Sequence, residues 1–283
     1  MNTNKITIDI NIPFYNYGQE NRIEITEKYF QHLIILRNKL KEKINLSFTF
    51  IGSEKESSRN LVNKYFNIDH LSNINNDTYY EFNQDLDKYS FNTNEIHFSI
   101  PMLNDKFRFS FEKSMEKKPN ITLLNGSNDF ISVHFFHQII DFYKNDKKQL
   151  FGIDNYYNGN NAVFFPIYQN NKITEEKFWW TGLDPRREIF KYCGGIIGFN
   201  DFLYNNNYEQ LINSISCDEG SIEHNILNID GTEKFNSKNI YYINMKTYNN
   251  SELNTYNVLK HFLNNEILFF DNFEENFKES FKN

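Results

Sequence analysis

Residues 124–129 read Leu-Asn-Gly-Ser-Asn-Asp, a set of side chains from which a divalent-cation site can be built. They directly follow a short apolar run, 121–124, that predicts a buried strand. Oxygen ligands are those that Mg²⁺ and Mn²⁺ prefer, and such a cation can neutralise a diphosphate leaving group. The same residue types also form turns, in which case Asp129 would cap the helix that follows. From this run alone, both interpretations stay open.

Three further segments carry groups that could bind a ligand, and each has an ordinary structural explanation. His134 and His137 are spaced for two metal ligands on one helix face, but no third ligand of HExxH type accompanies them. We favour polar residues on a half-buried face. Trp179 and Trp180 could stack on a sugar or base, or belong to a core or an interface. Residues 184–187, Asp-Pro-Arg-Arg, could bring cations to a phosphate or form a solvated loop.

The stretch Cys-Asp-Glu at 217–219 predicts the beginning of a helix. Ser216 and Glu219 have the spacing of a capping box. Acidic residues in a first helical turn also interact favourably with the helix dipole. From the local pattern, Asp218 and Glu219 are therefore either helix-start residues or carboxylates available for proton transfer.

The elements that must position these groups follow from the apolar patterns of the first 125 residues. Strands are predicted at 6–12, 46–51, 79–82 and 121–124, and helices at 25–44, 57–66 and 105–117. Alternation of strand and helix is typical of a mainly parallel sheet with helices on both faces. Ligands of such sheets lie at the carboxyl ends of the strands. The segments to consider are therefore 13–16, 52–54 and 126–129.

The second half of the chain has a different pattern. A helix is predicted at 130–144, followed by short strands at 149–152, 162–168, 196–199 and 239–245. Further helices are predicted from about residue 218 and over the aromatic stretch 253–277. We find no internal repeat and no linker rich in Pro, Gly or Ser. We therefore expect one α/β domain over residues 1–283, with an elaborated second half.

Composition limits the class of protein. The chain has 283 residues, a net charge of −7 and two cysteines, Cys193 and Cys217, without zinc or CxxC spacing. This cysteine content favours a reducing, cytoplasmic setting. No apolar run approaches the roughly 20 residues of a membrane helix, and the first residues lack the pattern of a signal peptide. The acidic balance argues against broad binding of DNA.

The order of the elements, together with the residues at the strand ends, resembles that of glycosyltransferases with the GT-A fold. More narrowly, it is similar to family 2-like proteins of phages, viruses and bacteria. Short motifs within residues 5–262 carry this resemblance. They are Ile-Asn-Ile-Pro-Phe-Tyr-Asn at 10–16, Phe-Ile-Gly-Ser-Glu at 50–54, Ser-Arg-Asn-Leu at 58–61, Asn-Asp-Lys-Phe at 104–107, Asn-Gly-Ser-Asn-Asp at 125–129, Gly-Gly-Ile-Ile-Gly-Phe at 194–199, Cys-Asp-Glu-Gly-Ser at 217–221 and Tyr-Ile-Asn-Met-Lys at 242–246.

The resemblance implies a GT-A-like α/β fold whose mainly parallel sheet binds a nucleotide and has helices on both faces. It divides the single domain into a nucleotide-sugar-binding half at 1–130 and an acceptor half, the elaborated C-terminal side, at 131–283. The implied activity is that of a metal-dependent, inverting hexosyltransferase that uses a UDP-sugar as donor.

The resemblance also assigns roles to individual residues. Asp129 would bind Mg²⁺ or Mn²⁺, and Asp218, or failing it Glu219, would take the acceptor proton. Lys106, at the start of the third predicted helix, would approach the diphosphate. The residues implied for donor binding are Pro13, Tyr15, Asn16, Ser53, Glu54, Lys106, Ser127 and Asn128.

Three features depart from the family pattern. Asn128 stands where the metal motif has its first aspartate, the segment 71–100 is longer than the pattern needs, and the strand at 194–199 is less basic than expected. Asn128 keeps open a degenerate module that binds a nucleotide without catalysis. A sugar-phosphate nucleotidyltransferase is the other alternative, disfavoured because residues 13–18 are aromatic and lack Lys and Arg. A modified DNA base or a glycan is the expected acceptor, in the host cytoplasm if the protein is viral.

Overall fold

The computed structural model describes residues 5–14, 20–52, 55–69, 75–82, 99–127, 129–131, 133–145, 148–154, 163–169, 172–179, 192–215, 232–236 and 242–244. Its strands are β1 (Ile6–Pro13), β2 (Ile44–Gly52), β3 (Thr78–Glu81), β4 (Ile121–Asn125), β5 (Asp129–Ile131), β6 (Lys148–Asp154), β7 (Val163–Gln169), β8 (Lys172–Trp179), β9 (Tyr192–Asn200), β10 (Thr232–Asn236) and β11 (Tyr242–Asn244). Its helices are α1 (Glu20–Leu40), α2 (Lys55–Phe66), α3 (Ser99–Met115), α4 (Val133–Tyr143) and α5 (Asp201–Ile215).

The strands form a large and a small sheet. The large sheet has seven strands in the order β10-β6-β9-β4-β1-β2-β3. Neighbouring strands run parallel except at β9, which is antiparallel to both β4 and β6. The small sheet has the order β5-β11-β7-β8. The prediction of a mainly parallel sheet is therefore confirmed.

Strand β1 shows how the sequence pattern separates the two faces of the large sheet. Its alternating isoleucines, Ile8, Ile10 and Ile12, are fully buried in one apolar cluster together with residues of α1, α2 and α4. Residues between them point to the opposite face, because side chains of a strand alternate. A second apolar cluster joins α3 and α5 to β4 and β9. Helices thus cover both faces, as predicted.

The face of β1 that is turned away from the isoleucines contains a buried polar network. Asp9 is fully buried and accepts hydrogen bonds from Ser47 (2.6 Å), Thr49 (2.7 Å) and Ser114 (2.6 Å). The ammonium of Lys117 lies 2.9 Å from the same carboxylate. Four donors therefore satisfy one buried charge, and they connect α3 and the turn after it to β1 and β2.

Several predicted bounds were wrong, two of them because long-range strand pairing decided them. Helix α1 ends at Leu40 and not at 44, since Ile44 pairs with Ile6 in the sheet. Helix α3 begins at Ser99, six residues before the predicted start. The helix predicted at 130–144 begins only at Val133, because residues 129–131 pair with β11. Helix α5 and strands β8 and β10 were not predicted.

Candidate functional site

The carboxyl ends of β1, β2 and β4 lie at one edge of the large sheet. Pro13 is paired with Ile51, and the amide of Phe14 donates a hydrogen bond of 3.0 Å to the Ile51 carbonyl. Asn11 is paired with Leu124, so β4 ends beside β1. Phe14 is 1% exposed, and its ring packs edge-on against Phe30 of α1 at 5.6 Å between centroids. Phe14, the first residue after β1, is therefore anchored in the core.

Lys106 brings a positive charge to this edge. Its side chain is buried, with the residue only 6% exposed, and its Nζ donates to the carbonyl of Phe14 at 3.3 Å. Helix α3 packs against β1, β2 and β4, which carries the lysine to that position. The residue lies about two turns inside α3 and not at its start, because the helix begins at Ser99. The predicted place of Lys106 at a helix start is therefore wrong.

The end of β4 leads into the segment that the sequence singled out as a metal motif. Asn125 is fully buried and Ser127 is 1% exposed. The side-chain amide of Asn125 donates a hydrogen bond to the hydroxyl of Tyr29, which is itself fully buried on α1. The segment therefore leaves the sheet through the protein interior.

Asp129 is the first residue of β5 and is paired with Asn244 of β11. It therefore does not cap the next helix, which begins at Val133, and the capping interpretation is wrong. Two residues further on, the carbonyl of Ile131 lies 2.9 Å from Nε2 of His32, a fully buried histidine of α1. The candidate metal segment thus leads from β4 of the large sheet to β5 of the small sheet.

Many of the predicted site residues lie outside the described part of the chain. These are Tyr15, Asn16, Ser53, Glu54, Asn128, Asp218 and Glu219, and Trp180 and residues 184–187 lie outside it as well. Trp179 is the last residue of β8, and both His134 and His137 belong to α4. Of the predicted site residues, the structure thus describes Pro13, Lys106, Ser127 and Asp129. Among the described residues, no group of three His, Cys, Asp or Glu side chains could hold a metal ion.

A cavity of about 420 Å³ lies at the opposite edge of the sheet, beside the amino ends of β1 and β2. Its lining includes Arg37 and Lys117. Arg37 is paired with the buried carboxylate of Asp77 at 2.5 Å, and Lys117 is paired with Asp9. Burial raises the pKa of Asp77, and the neighbouring Arg37 opposes that rise. Arg37 and Lys117 therefore each pair with a buried carboxylate of the fold.

Sequence reasoning missed the side chains of α1 that contact the candidate segment. Tyr29 and His32 are polar residues placed three apart within the apolar stripe of a helix. Such placement is the one signal that could have singled them out, because a buried polar side chain needs a partner. The identity of that partner depends on contacts across the tertiary structure.

No protein-family model and no curated protein matches this sequence. Among solved structures, the chain is similar to the S. aureus TarS 1–349 fragment, with a TM-score of 0.47, 12% identity, and 85% of this chain and 60% of that chain covered. For the same fragment in complex with UDP-GlcNAc, the TM-score is 0.45 and the identity 12%, with 89% of this chain and 62% of that chain covered. For a "putative nucleotide-diphospho-sugar transferase" from Desulfovibrio desulfuricans G20, the TM-score is 0.45 and the identity 8%, with 91% of this chain and 95% of that chain covered. The chain thus spans about 60% of the length of the TarS fragment.

These similarities concern the fold. The chain has an α/β fold, with the mainly parallel sheet, the antiparallel strand β9 and a second small sheet that begins at Asp129. The α/β architecture predicted from the sequence is therefore confirmed. In the part of the chain that the structure describes, no helix combines the length and apolar character needed to cross a membrane.

Proposed function

We propose that this protein is a glycosyltransferase that moves a sugar from a nucleotide diphosphate to an acceptor. The observation that carries the proposal is the buried Lys106, whose ammonium lies at the carboxyl end of β1, on the edge where β2 and β4 also end. Ligands of parallel α/β sheets bind at this edge. A cation there suits a diphosphate, because charge-assisted hydrogen bonds to phosphate are strong.

The proposed donor is a UDP-sugar bound against Pro13, Tyr15, Asn16, Ser53 and Glu54. The support is the aromatic loop after β1 and its resemblance to the base-binding loop of the family. Isothermal titration tests this proposal, with UDP expected to bind more tightly than GDP, CDP or dTDP. Tighter binding of another nucleotide would contradict the choice of uridine. Lys106→Met should weaken UDP binding more than uridine binding, because uridine lacks the diphosphate.

Asp129 is proposed as the main protein ligand of Mg²⁺ or Mn²⁺, with Ser127 and Asn128 beside it. The donor set fits, since hydroxyl, amide and carboxylate oxygens are the ligands these hard cations prefer. The cation would supply charge neutralisation of the leaving diphosphate. Asp129→Asn should cost activity by about 10²-fold or more, as expected for loss of a transition-state charge partner. The free energy of unfolding should stay near that of the wild type. Normal turnover would refute the metal role, and unfolding would indicate a structural residue.

The catalytic base of the proposed reaction is Asp218, or failing it Glu219. An inverting transfer needs a carboxylate within about 3 Å of the acceptor hydroxyl, on the face opposite the leaving group. The anomeric configuration of the product, measured by NMR, decides the mechanism, and retention would refute the assignment. The pH–rate profile of Asp218→Asn should lose the acidic limb of the wild type, because that limb reports titration of the base.

The acceptor class is proposed as a modified DNA base or a glycan, in a cytoplasmic setting. The net charge of −7 argues against tight binding to duplex DNA, because duplex binding depends on neutralised phosphates. A screen of nucleotide-sugar hydrolysis determines donor and activity together. Thermal shift with and without Mn²⁺ separates the alternatives. Stabilisation that requires the metal supports the enzyme, whereas metal-independent stabilisation supports the binding module suggested by Asn128.

A further inference from the structure

We propose that Tyr29 and His32 of α1 are positioning residues that hold both ends of the candidate metal segment, residues 125–131. The proposal rests on the proposed function of that segment. We call the pair the α1 clamp.

The α1 clamp contacts one residue at each end of the segment. Tyr29 accepts a hydrogen bond from the side-chain amide of Asn125, the last residue of β4. His32 lies with Nε2 at 2.9 Å from the carbonyl of Ile131, the last residue of β5. The two clamp residues are separated by three positions, so they lie on one face of the helix. One helix therefore contacts both ends of the segment.

Burial makes these contacts specific. The four residues of these two contacts are fully buried: Tyr29, His32, Asn125 and Ile131. Water therefore cannot take the place of a lost hydrogen-bond partner. A carbonyl oxygen only accepts, and therefore Nε2 of His32 carries the hydrogen. Each end of the segment is thus joined to α1 by a buried hydrogen bond.

The consequence concerns the residues between the two contacts. Ser127 and Asp129 lie within the segment, and a metal ligand must be placed within a few tenths of an ångström to bind well. Groups that hold a metal-binding loop without touching the metal typically change metal affinity by about 10- to 100-fold when they are removed. A contact with a purely structural role would lower stability without such an effect on binding.

The test uses three variants of the clamp and one matched control. Tyr29→Phe removes only the hydroxyl, and His32→Leu removes the donor. His32→Gln can present an amide hydrogen near the position of Nε2. The control is Tyr143→Phe, because Tyr143 also has a hydrogen-bonded hydroxyl, 2.7 Å from Asp201 and outside the segment.

Three quantities are measured on the full chain. They are the Kd of UDP with saturating Mn²⁺, the Kd of UDP in EDTA, and the urea midpoint of unfolding. Tyr29→Phe and His32→Leu are expected to weaken binding with Mn²⁺ by about 10- to 100-fold and to leave binding in EDTA within about twofold. His32→Gln should recover most of the loss. Tyr143→Phe should lower the urea midpoint while both Kd values stay at the wild-type level.

Two results would overturn the clamp. One is a fall in the urea midpoint with unchanged binding in both conditions, which would make the contacts structural only. The other is equal weakening with and without Mn²⁺, which would place the effect outside the metal segment. A failure of the proposed function looks different, since then the wild type itself would bind no UDP in either condition.

Discussion

Replacement of Asp9 by asparagine should reduce the free energy of unfolding by about 3–5 kcal/mol, the usual cost of leaving one partner of a buried ion pair alone. The Asp9 side chain is fully buried and that of Lys117 is 5% exposed, with 2.9 Å between Oδ1 and Nζ. The neutral amide of the variant would no longer compensate the charge of this ammonium. The variant therefore creates a buried, uncompensated positive charge.

The hydrogen bonds of Asp9 indicate that the unpaired charge of Lys117 accounts for most of the lost free energy of unfolding. The other three donors to Asp9 are the hydroxyls of Ser47, Thr49 and Ser114, which can also accept from an amide. Lys117 can only donate. In the double variant Asp9→Asn with Lys117→Met, the unpaired charge is absent. Its destabilisation should therefore be smaller than the sum of the single variants by about 1–3 kcal/mol.

Urea unfolding of the wild type, the two single variants and the double variant measures this coupling. Titration with UDP provides the functional control. Asp9 lies four residues before Pro13, which corresponds to about 13 Å along a strand at about 3.3 Å per residue. UDP binding by the folded fraction should therefore stay unchanged. Additive losses would refute the reasoning, and selective loss of UDP binding would show that Asp9 belongs to the site.

Two further predictions concern the ends of β2 and α2. Gly52→Ala should destabilise the protein by about 1–3 kcal/mol, the typical cost of overpacking. The new methyl group would lie 2.8 Å from Cβ of Ser58 and against the Tyr79 ring. An unchanged urea midpoint of unfolding would contradict this prediction. The hydrogen bond from Arg59 holds the pKa of Asp69 below its usual 3.8, so Arg59→Gln should return the pKa of that carboxyl toward 3.8 in an NMR titration. Because the pKa of Asp69 is lowered in the folded protein, the contribution of this pair to stability is present above pH 3.8 and is lost as the pH falls through the lowered pKa. An Asp69 pKa that does not change in the variant would refute the assignment.

Local patterns in the sequence determined the elements of the first half and their order. Alternating isoleucines specify β1 and its buried face because side chains of a strand point to opposite sides. The strand and helix alternation then predicted a parallel sheet, since parallel neighbours need a crossover connection. The same logic identified the edge at which Pro13, Gly52 and Asn125 end their strands.

Tertiary structure decided what contacts distant residues make. Asp129 lies in a strand and not at a helix start because β11, far along the chain, provides its hydrogen-bond partners. Tyr29 and Asn125 are 96 residues apart, and His32 and Ile131 are 99 apart. The apolar period of α1 predicts a buried face, but it cannot name the acceptor or donor opposite each polar side chain. Such partners depend on how the packed elements meet, because a buried polar group is satisfied by whatever the fold brings within hydrogen-bond distance.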